Sequence, residues 1–184
     1  MLAERWTELL CHPSTRNRAV RGIAALVRRA PSRVLDVSFR LDGDMSSLRV
    51  PSPSVPRMAA RLWEHTCFEA FVAMDARNGY HELNFAPSGE WAAYAFRGYR
   101  DGGAVADEAL APSIRVRATE ARLELDALIR LDRLSAAHPR STLRIGLSAV
   151  IEGNDGGLSY WALCHPAGKP DFHHAECFAL LLEP

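Results

Sequence analysis

The sequence predicts an all-β fold, a β-sandwich of the immunoglobulin-like or jelly-roll type that is built of antiparallel strands with little helix. Many short segments alternate apolar and polar residues, and clusters of Gly, Pro, Asn and Asp separate them at fairly regular spacing. The chain of 184 residues is 48% hydrophobic, which is enough to bury a substantial core. We therefore expect one domain over residues 1–184.

The charge balance argues against several classes of partner. Lys plus Arg and Asp plus Glu number 22 each, so the chain has no positive excess for a nucleic-acid backbone or an anionic membrane. The N-terminal residues carry early acidic side chains and no apolar run typical of a signal peptide, and no segment is long enough to span a membrane. These features predict a cytoplasmic protein that binds neither nucleic acid nor membranes.

The four cysteines, Cys11, Cys67, Cys164 and Cys177, are widely spaced in a chain too large to need disulfides, so reduced thiols are expected. The tripeptide Cys-His-Pro occurs at 11–13 and 164–166 and resembles half of a metal site. It lacks the close second ligand that zinc sites usually show. We therefore expect no metal and no cofactor.

The N-terminal third contains a short strand or arm over residues 1–12, which Pro13 ends. Residues 20–29 fit either an amphipathic helix or a strand, but the alternating segment 34–41 that follows favours a hairpin of two strands. Residues 46–61 contain three prolines, which cannot donate to a sheet ladder, so this stretch is a loop. The loop leads to Trp63, the first candidate ligand-binding ring.

The segment Leu62–Arg97 predicts a three-stranded antiparallel meander. Its turns fall at Arg77-Asn78-Gly79 and at Pro87-Ser88-Gly89, where residues that tolerate tight turns interrupt the alternation. We take each turn as a two-residue loop, so that Arg77 pairs with Tyr80 and Phe85 pairs with Ala92.

Side chains alternate across a strand and pairing preserves the face, so this register sorts the meander into two faces. One face is apolar and forms a core layer: Phe68, Ala70, Val72, Met74, His81, Leu83, Phe85, Ala92, Tyr94 and Phe96. The other face carries Glu69, Glu82, Asn84 and Arg97 around small alanines, with Trp91 at its edge, and is a candidate ligand shelf. The alternative is a solvated sheet face on which Arg97 and Glu82 pair across strands.

The C-terminal half continues the same pattern. Its predicted elements are a surface loop after Arg97, a hairpin of 113–118 with 121–127, one or two helical turns within 128–138, strands at 142–152 and 158–163 around a turn at 154–157, a loop over 164–176 and a closing strand over 177–183.

No motif of a known catalytic type is present, whether nucleophile elbow, phosphate-binding loop, dinucleotide fingerprint or zinc-protease helix. The best candidates for acid–base or metal chemistry are Asp171, His173 and His174, with His165 nearby. A metal-dependent or acid–base hydrolase that uses His165, Asp171 and His173 is one alternative function. The other interpretation is a loop whose polar side chains cap backbone groups.

Tryptophans suggest a different function. A sugar presents an apolar C–H face and a rim of hydroxyls, so its site needs aromatic plates with convergent polar groups. Trp63 and Trp161 are candidate plates, Glu69 can accept hydrogen bonds from hydroxyls, and Asn84 and Arg97 can donate to them. The alternative is that each Trp is a core residue with its N–H satisfied.

Two stretches carry a family resemblance. LWEHTCFEAFV followed by YHELNFAPSGEWAAYAFRGYR resembles the DOMON-like domains related to family nine carbohydrate-binding modules, in which a tryptophan precedes a strand glutamate by six residues, as Trp63 precedes Glu69. The closing YWALCHPAGKPDFHHAECFALLLE is similar to the end of that family, where a late tryptophan, here Trp161, faces the first. Other DOMON domains bind haem through Met and His, but Met74 falls on the predicted core face, so no haem is expected.

The resemblance implies a β-sandwich that binds a sugar or other small ligand between two aromatic rings without catalysis. It implies that Trp63 and Trp161 stack on the ligand and that Glu69 binds its hydroxyls. Asn84 and Arg97 come from the face assignment. A third alternative is a module whose exposed aromatic face binds a protein partner or forms a homodimer.

Overall fold

The computed structural model describes residues 6–31, 33–75 and 77–184, and these residues form a β-sandwich. The first five residues of the predicted N-terminal arm lie outside the described part. The strands are β1 Thr7–Cys11, β2 Val20–Ala30, β3 Val34–Gly43, β4 Cys67–Met74, β5 Tyr80–Phe85, β6 Trp91–Gly98, β7 Asp101–Ala104, β8 Ser113–Ala118, β9 Arg122–Arg130, β10 Leu143–Glu152, β11 Leu158–Ala162 and β12 Leu180–Leu182.

Helix is a minor component of the described chain. One α-helical turn, α1, spans Leu131–Leu134. Short 3₁₀ turns span Met45–Ser47, Leu62–Glu64, Glu108–Leu110, His138–Arg140 and Ala175–Cys177. No helix in these residues has the length and apolar character needed to cross a membrane.

The strands form two antiparallel layers that share β1. Sheet I has the order β1-β2-β3-β9-β8, and sheet II has the order β7-β6-β5-β4-β10-β11, with β12 also paired to β10. Residues Thr7–Leu9 pair with β2, whereas Leu10 and Cys11 pair with β11. Strand β1 therefore passes from one layer to the other and joins them.

The main core lies between the two sheets. In β3 every second residue is buried, and Leu35, Val37, Phe39 and Leu41 all point inward. The Phe39 ring meets Phe68 of sheet II at a centroid separation of 5.0 Å. Burying one such side chain contributes about 1.5–3 kcal/mol, so the period-two pattern fixes which face of each sheet turns inward.

The predicted hairpin of 20–29 with 34–41 is confirmed as β2 and β3, and the hairpin of 113–118 with 121–127 is confirmed as β8 and β9. The surface loop predicted after Arg97 is wrong in part, because Asp101–Ala104 forms β7 and pairs with β6. Gly102 allows this pairing, since a Cβ there would lie 2.0 Å from the Ala95 carbonyl oxygen. The closing strand is shorter than expected.

The face assignment is confirmed for β4 and β5. The first turn is longer than two residues and Ala73 pairs with Tyr80, so the true register differs from the predicted one by four residues. An even shift leaves every side chain on its predicted face. Phe68 therefore points into the core, and Glu69 points out of the sandwich.

The face assignment for β6 is wrong. Phe85 pairs with Trp91 rather than with Ala92, because residues 86–90 form a five-residue connection closed by a 2.9 Å bond from the Ala86 N–H to the Glu90 carbonyl. A shift of one residue exchanges the faces. Trp91 and Ala93 consequently lie in the main core, whereas Ala92, Tyr94 and Phe96 are on the outer face.

Candidate ligand-binding site

The outer face of sheet II contains a cavity of about 420 Å³. Its floor is formed by outward side chains of β4, β5, β6, β10 and β11, and its walls come from the 3₁₀ turn at 62–64, the β6–β7 hairpin and the loop after β11. The lining residues are Trp63, Glu69, Glu82, Tyr94, Phe96, Arg100, Gly102, Gly103, Ala104, Val150, Tyr160, Pro170, Phe172 and His173. Five aromatic rings and two carboxyl groups thus share one cavity.

Trp63 forms one wall. Leu62 is buried beneath the 3₁₀ turn, while the next residue, Trp63, keeps 39% of its surface exposed. The indole meets Tyr94 edge-on with a centroid separation of 5.6 Å. His65 closes the turn through its N–H to the Leu62 carbonyl at 3.0 Å, and its Nδ1 lies 2.8 Å from Glu152, so the turn is fastened to β10.

The opposite wall is made by Tyr160 and Phe172, whose ring centroids lie 6.0 Å apart. Tyr160 pairs with Val150 and shares its outward face, whereas the next residue, Trp161, pairs with Ala149 and points into the main core. The Trp161 Nε1–H donates to the Ser159 hydroxyl at 3.1 Å. Trp63 and Trp161 therefore lie on opposite faces of sheet II and do not form one ligand clamp.

Two buried glutamates form the polar part of the floor. Glu69 is 2% exposed and accepts a 3.0 Å hydrogen bond from the Ser148 hydroxyl and a 3.7 Å contact from the Cys67 thiol. Glu82 accepts a 3.0 Å bond from the Asn84 amide. Burial, followed by the repulsion from Glu82, raises the pKa of Glu69 from 4.5 to about 8, and burial raises the pKa of Glu82 to about 7.

His173 extends this network from the loop after β11. Arg100 donates its backbone N–H to the Tyr80 hydroxyl at 3.1 Å, and that hydroxyl lies 2.8 Å from His173 Nδ1. Burial and then the Arg100 charge lower the pKa of His173 to about 4, so the ring is neutral at pH 7. Nδ1 then accepts from Tyr80 and Nε2 carries the proton, facing Glu82 at 3.5 Å.

Arg100 sits at the rim, in the turn between β6 and β7. Its φ of +52° lies in the left-handed region, which costs a non-glycine residue roughly 1–2 kcal/mol. The Arg100 guanidinium binds Asp171 at 2.8 Å, and the Tyr99 hydroxyl donates to the same carboxylate at 2.6 Å. These bonds hold the unusual turn and fasten the 170–173 loop over the cavity.

The structure brings together only part of the set predicted from the sequence. Trp63 and Glu69 line the cavity, and Asn84 lies beside it, fully buried, with no hydrogen-bond partner for its Oδ1 among the residues that the structure describes. Arg97 falls on the other face of β6 because of the register difference, and it pairs with Asp101 at 3.0 Å in an exposed position. Trp161 is the core residue described above.

Of the three residues of the hydrolase alternative, the structure brings two together, since the Asp171 carboxylate accepts the His173 backbone N–H at 3.1 Å, and it separates the third. His173 lines the cavity and Asp171 holds Arg100 at its rim, but His165 lies away from it, with Nε2 2.8 Å from the Leu10 carbonyl. The two Cys-His-Pro repeats do meet, since the His12 and His165 rings are 4.9 Å apart. No group of three or more His, Cys, Asp or Glu in residues 6–31, 33–75 and 77–184 is placed to hold a metal ion.

Sequence reasoning missed Tyr94, Arg100, Tyr160 and Phe172 as lining residues. Tyr94 would have followed from a correct β6 register. Tyr160 alternates with Trp161 in a strand whose inner face the sequence does not reveal, because Tyr and Trp are both suited to a core. Arg100 and Phe172 lie in loops, and a local sequence pattern does not predict which way a loop residue points.

No protein-family model matches the sequence, and no curated protein matches it. Solved structures are similar in fold. A proposed carbohydrate-binding protein from Bacteroides uniformis superposes with a TM-score of 0.68 at 14% identity, covering 97% of this chain and 85% of that one. The chain also has the fold of family nine carbohydrate-binding modules. A module from Caldicellulosiruptor kristjanssonii in complex with cellotriose gives a TM-score of 0.57 at 10% identity, over 90% of this chain and 75% of that one.

A family nine module from the same organism in complex with glucose gives a TM-score of 0.55 at 9% identity, with 98% of this chain and 83% of that chain covered. At these identities the likeness concerns the fold. The β-sandwich and the resemblance to family nine modules predicted from the sequence are confirmed at that level.

Proposed function

We propose that this chain is a non-catalytic binding domain for a sugar or similar small polar ligand, held in the cavity on the outer face of sheet II. The observation that carries the proposal is the cavity itself, in which aromatic rings stand on two sides of a floor with buried hydrogen-bonding groups. Sites for small ligands combine largely apolar walls with a few fixed polar atoms.

The geometry fits a pyranose-sized ligand. Trp63 and Tyr94 on one side, and Tyr160 and Phe172 on the other, offer ring surfaces to the apolar faces of a sugar. Between them the carboxyl groups can accept from hydroxyls, and when protonated can also donate. The bound sugars in two family nine structures of the same fold, cellotriose and glucose, support this ligand class.

Calorimetric titration of the full chain with glucose, cellotriose and a panel of other mono- and disaccharides tests the proposal. We expect binding to at least one sugar and a loss of at least tenfold in affinity in Tyr160→Ala and in Trp63→Ala, since each variant removes a wall. The matched control is Arg97→Ala, which removes an exposed side chain of the same sheet. Absence of heat with every sugar, or unchanged affinity in both wall variants, would refute the proposal.

A further inference from the structure

The floor of the cavity contains two neighbouring carboxyl groups, and a neutral sugar carries no charge that could balance them. Glu69 and Glu82 lie on the same outward face of neighbouring strands, where Glu69 pairs with Asn84 and Glu82 pairs with Phe71. Both carboxyls are more than nine-tenths buried. Two carboxyl groups on one buried patch repel each other when both are ionised, so the folded chain must hold protons there or receive a positive charge.

The polar neighbours of the pair do not supply that charge. Within the described part of the chain no Lys or Arg side chain forms an ion pair with either carboxyl, and the bonded partners are the Ser148 hydroxyl, the Cys67 thiol and the Asn84 amide. His173, which faces Glu82, keeps its pKa near 4 through burial and is uncharged at neutral pH.

Among the lining residues in the described part of the chain, Arg100 is the one permanently charged cation, and it is already engaged. Its guanidinium is bound to Asp171 at 2.8 Å, so its charge is largely matched at the rim. Its field still favours ionisation of both glutamates but does not restore their ordinary pKa values. The floor of the cavity therefore keeps an unmatched negative charge whenever the carboxyls ionise.

The walls are also those of a cation site. An ammonium group is attracted to the faces of Trp and Tyr, and the attraction is strongest for a cation that is desolvated among such rings. The cavity presents Trp63, Tyr94, Phe96, Tyr160 and Phe172 around the two carboxyls. In addition, no group in the described part of the chain donates a hydrogen bond to the buried Oδ1 of Asn84, whose amide nitrogen contacts Glu82.

From these observations, and resting on the proposed function, we infer that the preferred ligand is an amino sugar whose protonated amine lies against Glu69 and Glu82. The ring and its hydroxyls contact the aromatic walls, as for any sugar. The ammonium group supplies the positive charge that the side chains in the described part of the chain do not provide, and it donates hydrogen bonds to the two carboxylates. Binding then ionises the pair, so protons leave the protein as the amine arrives.

Calorimetry with three sugars that share one ring tests the inference: glucose, glucosamine and N-acetylglucosamine. At pH 6.5 a primary amine of this kind is charged, whereas the two carboxyls still hold most of their protons. We expect glucosamine to bind at least tenfold more tightly than either neutral sugar. Titrations in two buffers of different ionisation enthalpy should show release of one to two protons with glucosamine and none with glucose.

Glu69→Gln removes one of the carboxyls and keeps the size of the side chain. The ratio of the affinities for glucosamine and glucose should fall towards one in this variant. The number of protons released by the wild type tests the contact between the amine and the carboxyls independently of whether the variant folds. If glucose binds as tightly as glucosamine, or glucosamine binds without proton release, the inference is wrong and the proposed sugar-binding function still stands. If none of the three sugars binds, and no other sugar does, both fail.

Discussion

Replacing Glu69 by Gln should change how the stability of this protein depends on pH. In the unfolded chain this carboxyl has its ordinary pKa of 4.5, whereas burial and Glu82 raise the pKa to about 8 in the folded state. The folded state then holds a proton that the unfolded state has lost at every pH between these values. The contribution of Glu69 to stability therefore falls as pH rises through that window and is constant above it.

The magnitude follows from the two pKa values. Each pH unit in which the folded state holds one extra proton lowers the free energy of unfolding by about 1.4 kcal/mol, so the full penalty for ionising Glu69 above pH 8 is on the order of 5 kcal/mol. Gln cannot ionise and keeps an oxygen for the Ser148 hydroxyl. The variant should therefore gain on the order of 2–3 kcal/mol relative to the wild type between pH 5.5 and 7.5, whatever its constant offset.

Urea unfolding followed by tryptophan fluorescence, repeated at several pH values, measures this difference. Taking the difference between variant and wild type cancels contributions from histidines that both proteins share. Glu120→Gln, the same chemical change at an exposed position, is the matched control. A Glu69→Gln difference constant to within ~0.5 kcal/mol across this range would refute the picture of a carboxyl held protonated by burial.

Three further predictions address the neighbouring residues. Trp161→Ala should destabilise the fold by about 3–5 kcal/mol in urea unfolding, because the Trp161 ring fills part of the main core. Tyr160→Ala should instead mainly lower the affinity for sugar in calorimetry, because Tyr160 lines the cavity. The reverse pattern would mean that the two faces of β11 are misassigned. Arg97→Ala should change stability by no more than ~0.5 kcal/mol and leave sugar affinity unaltered, and any loss of affinity would contradict its exposed position. The pKa of His138 is lowered to about 4 by burial and then by the neighbouring His81, so its own contribution to stability is lost as pH falls from about 6.5 towards 4, opposite in sign to that of Glu69. His138→Leu should therefore gain stability relative to the wild type as pH falls through this range, and a difference in the free energy of unfolding that does not change with pH would refute this contribution.

The sheet faces show how far parity alone carries a prediction. The register of the first hairpin differs from the predicted one by four residues, yet Phe68 and Glu69 still fall on the correct faces because four is even. The second hairpin differs by one, and that exchanges Trp91 with Ala92. Turn residues such as Ser88 and Gly89 mark where a chain reverses, but the length of the connection depends on backbone bonds that their identities do not specify.

Short-range pattern also could not distinguish the two aromatic residues of β11. Tyr160 and Trp161 are adjacent, and only the pairing with β10 decides which ring enters the core. The Ser159 hydroxyl, which accepts from the Trp161 indole, is two residues away on the same face and is the one local feature consistent with a buried indole. The contact of Arg100 with Asp171 could not be predicted from the sequence at all, because 71 positions separate the two residues and no local pattern relates them.

Stability and binding are linked through the same two carboxyl groups. A ligand that binds only the folded state raises the free energy of unfolding by RT ln(1 + [L]/Kd), so any sugar that occupies the cavity stabilises the fold. A neutral sugar leaves Glu69 and Glu82 with the unfavourable ionisation that burial imposes above pH 7–8. A cationic ligand offsets that cost directly, because its charge favours the form that burial disfavours. Its stabilising effect, compared with that of a neutral sugar of the same ring, should therefore grow as pH rises towards 7 for as long as the amine stays protonated.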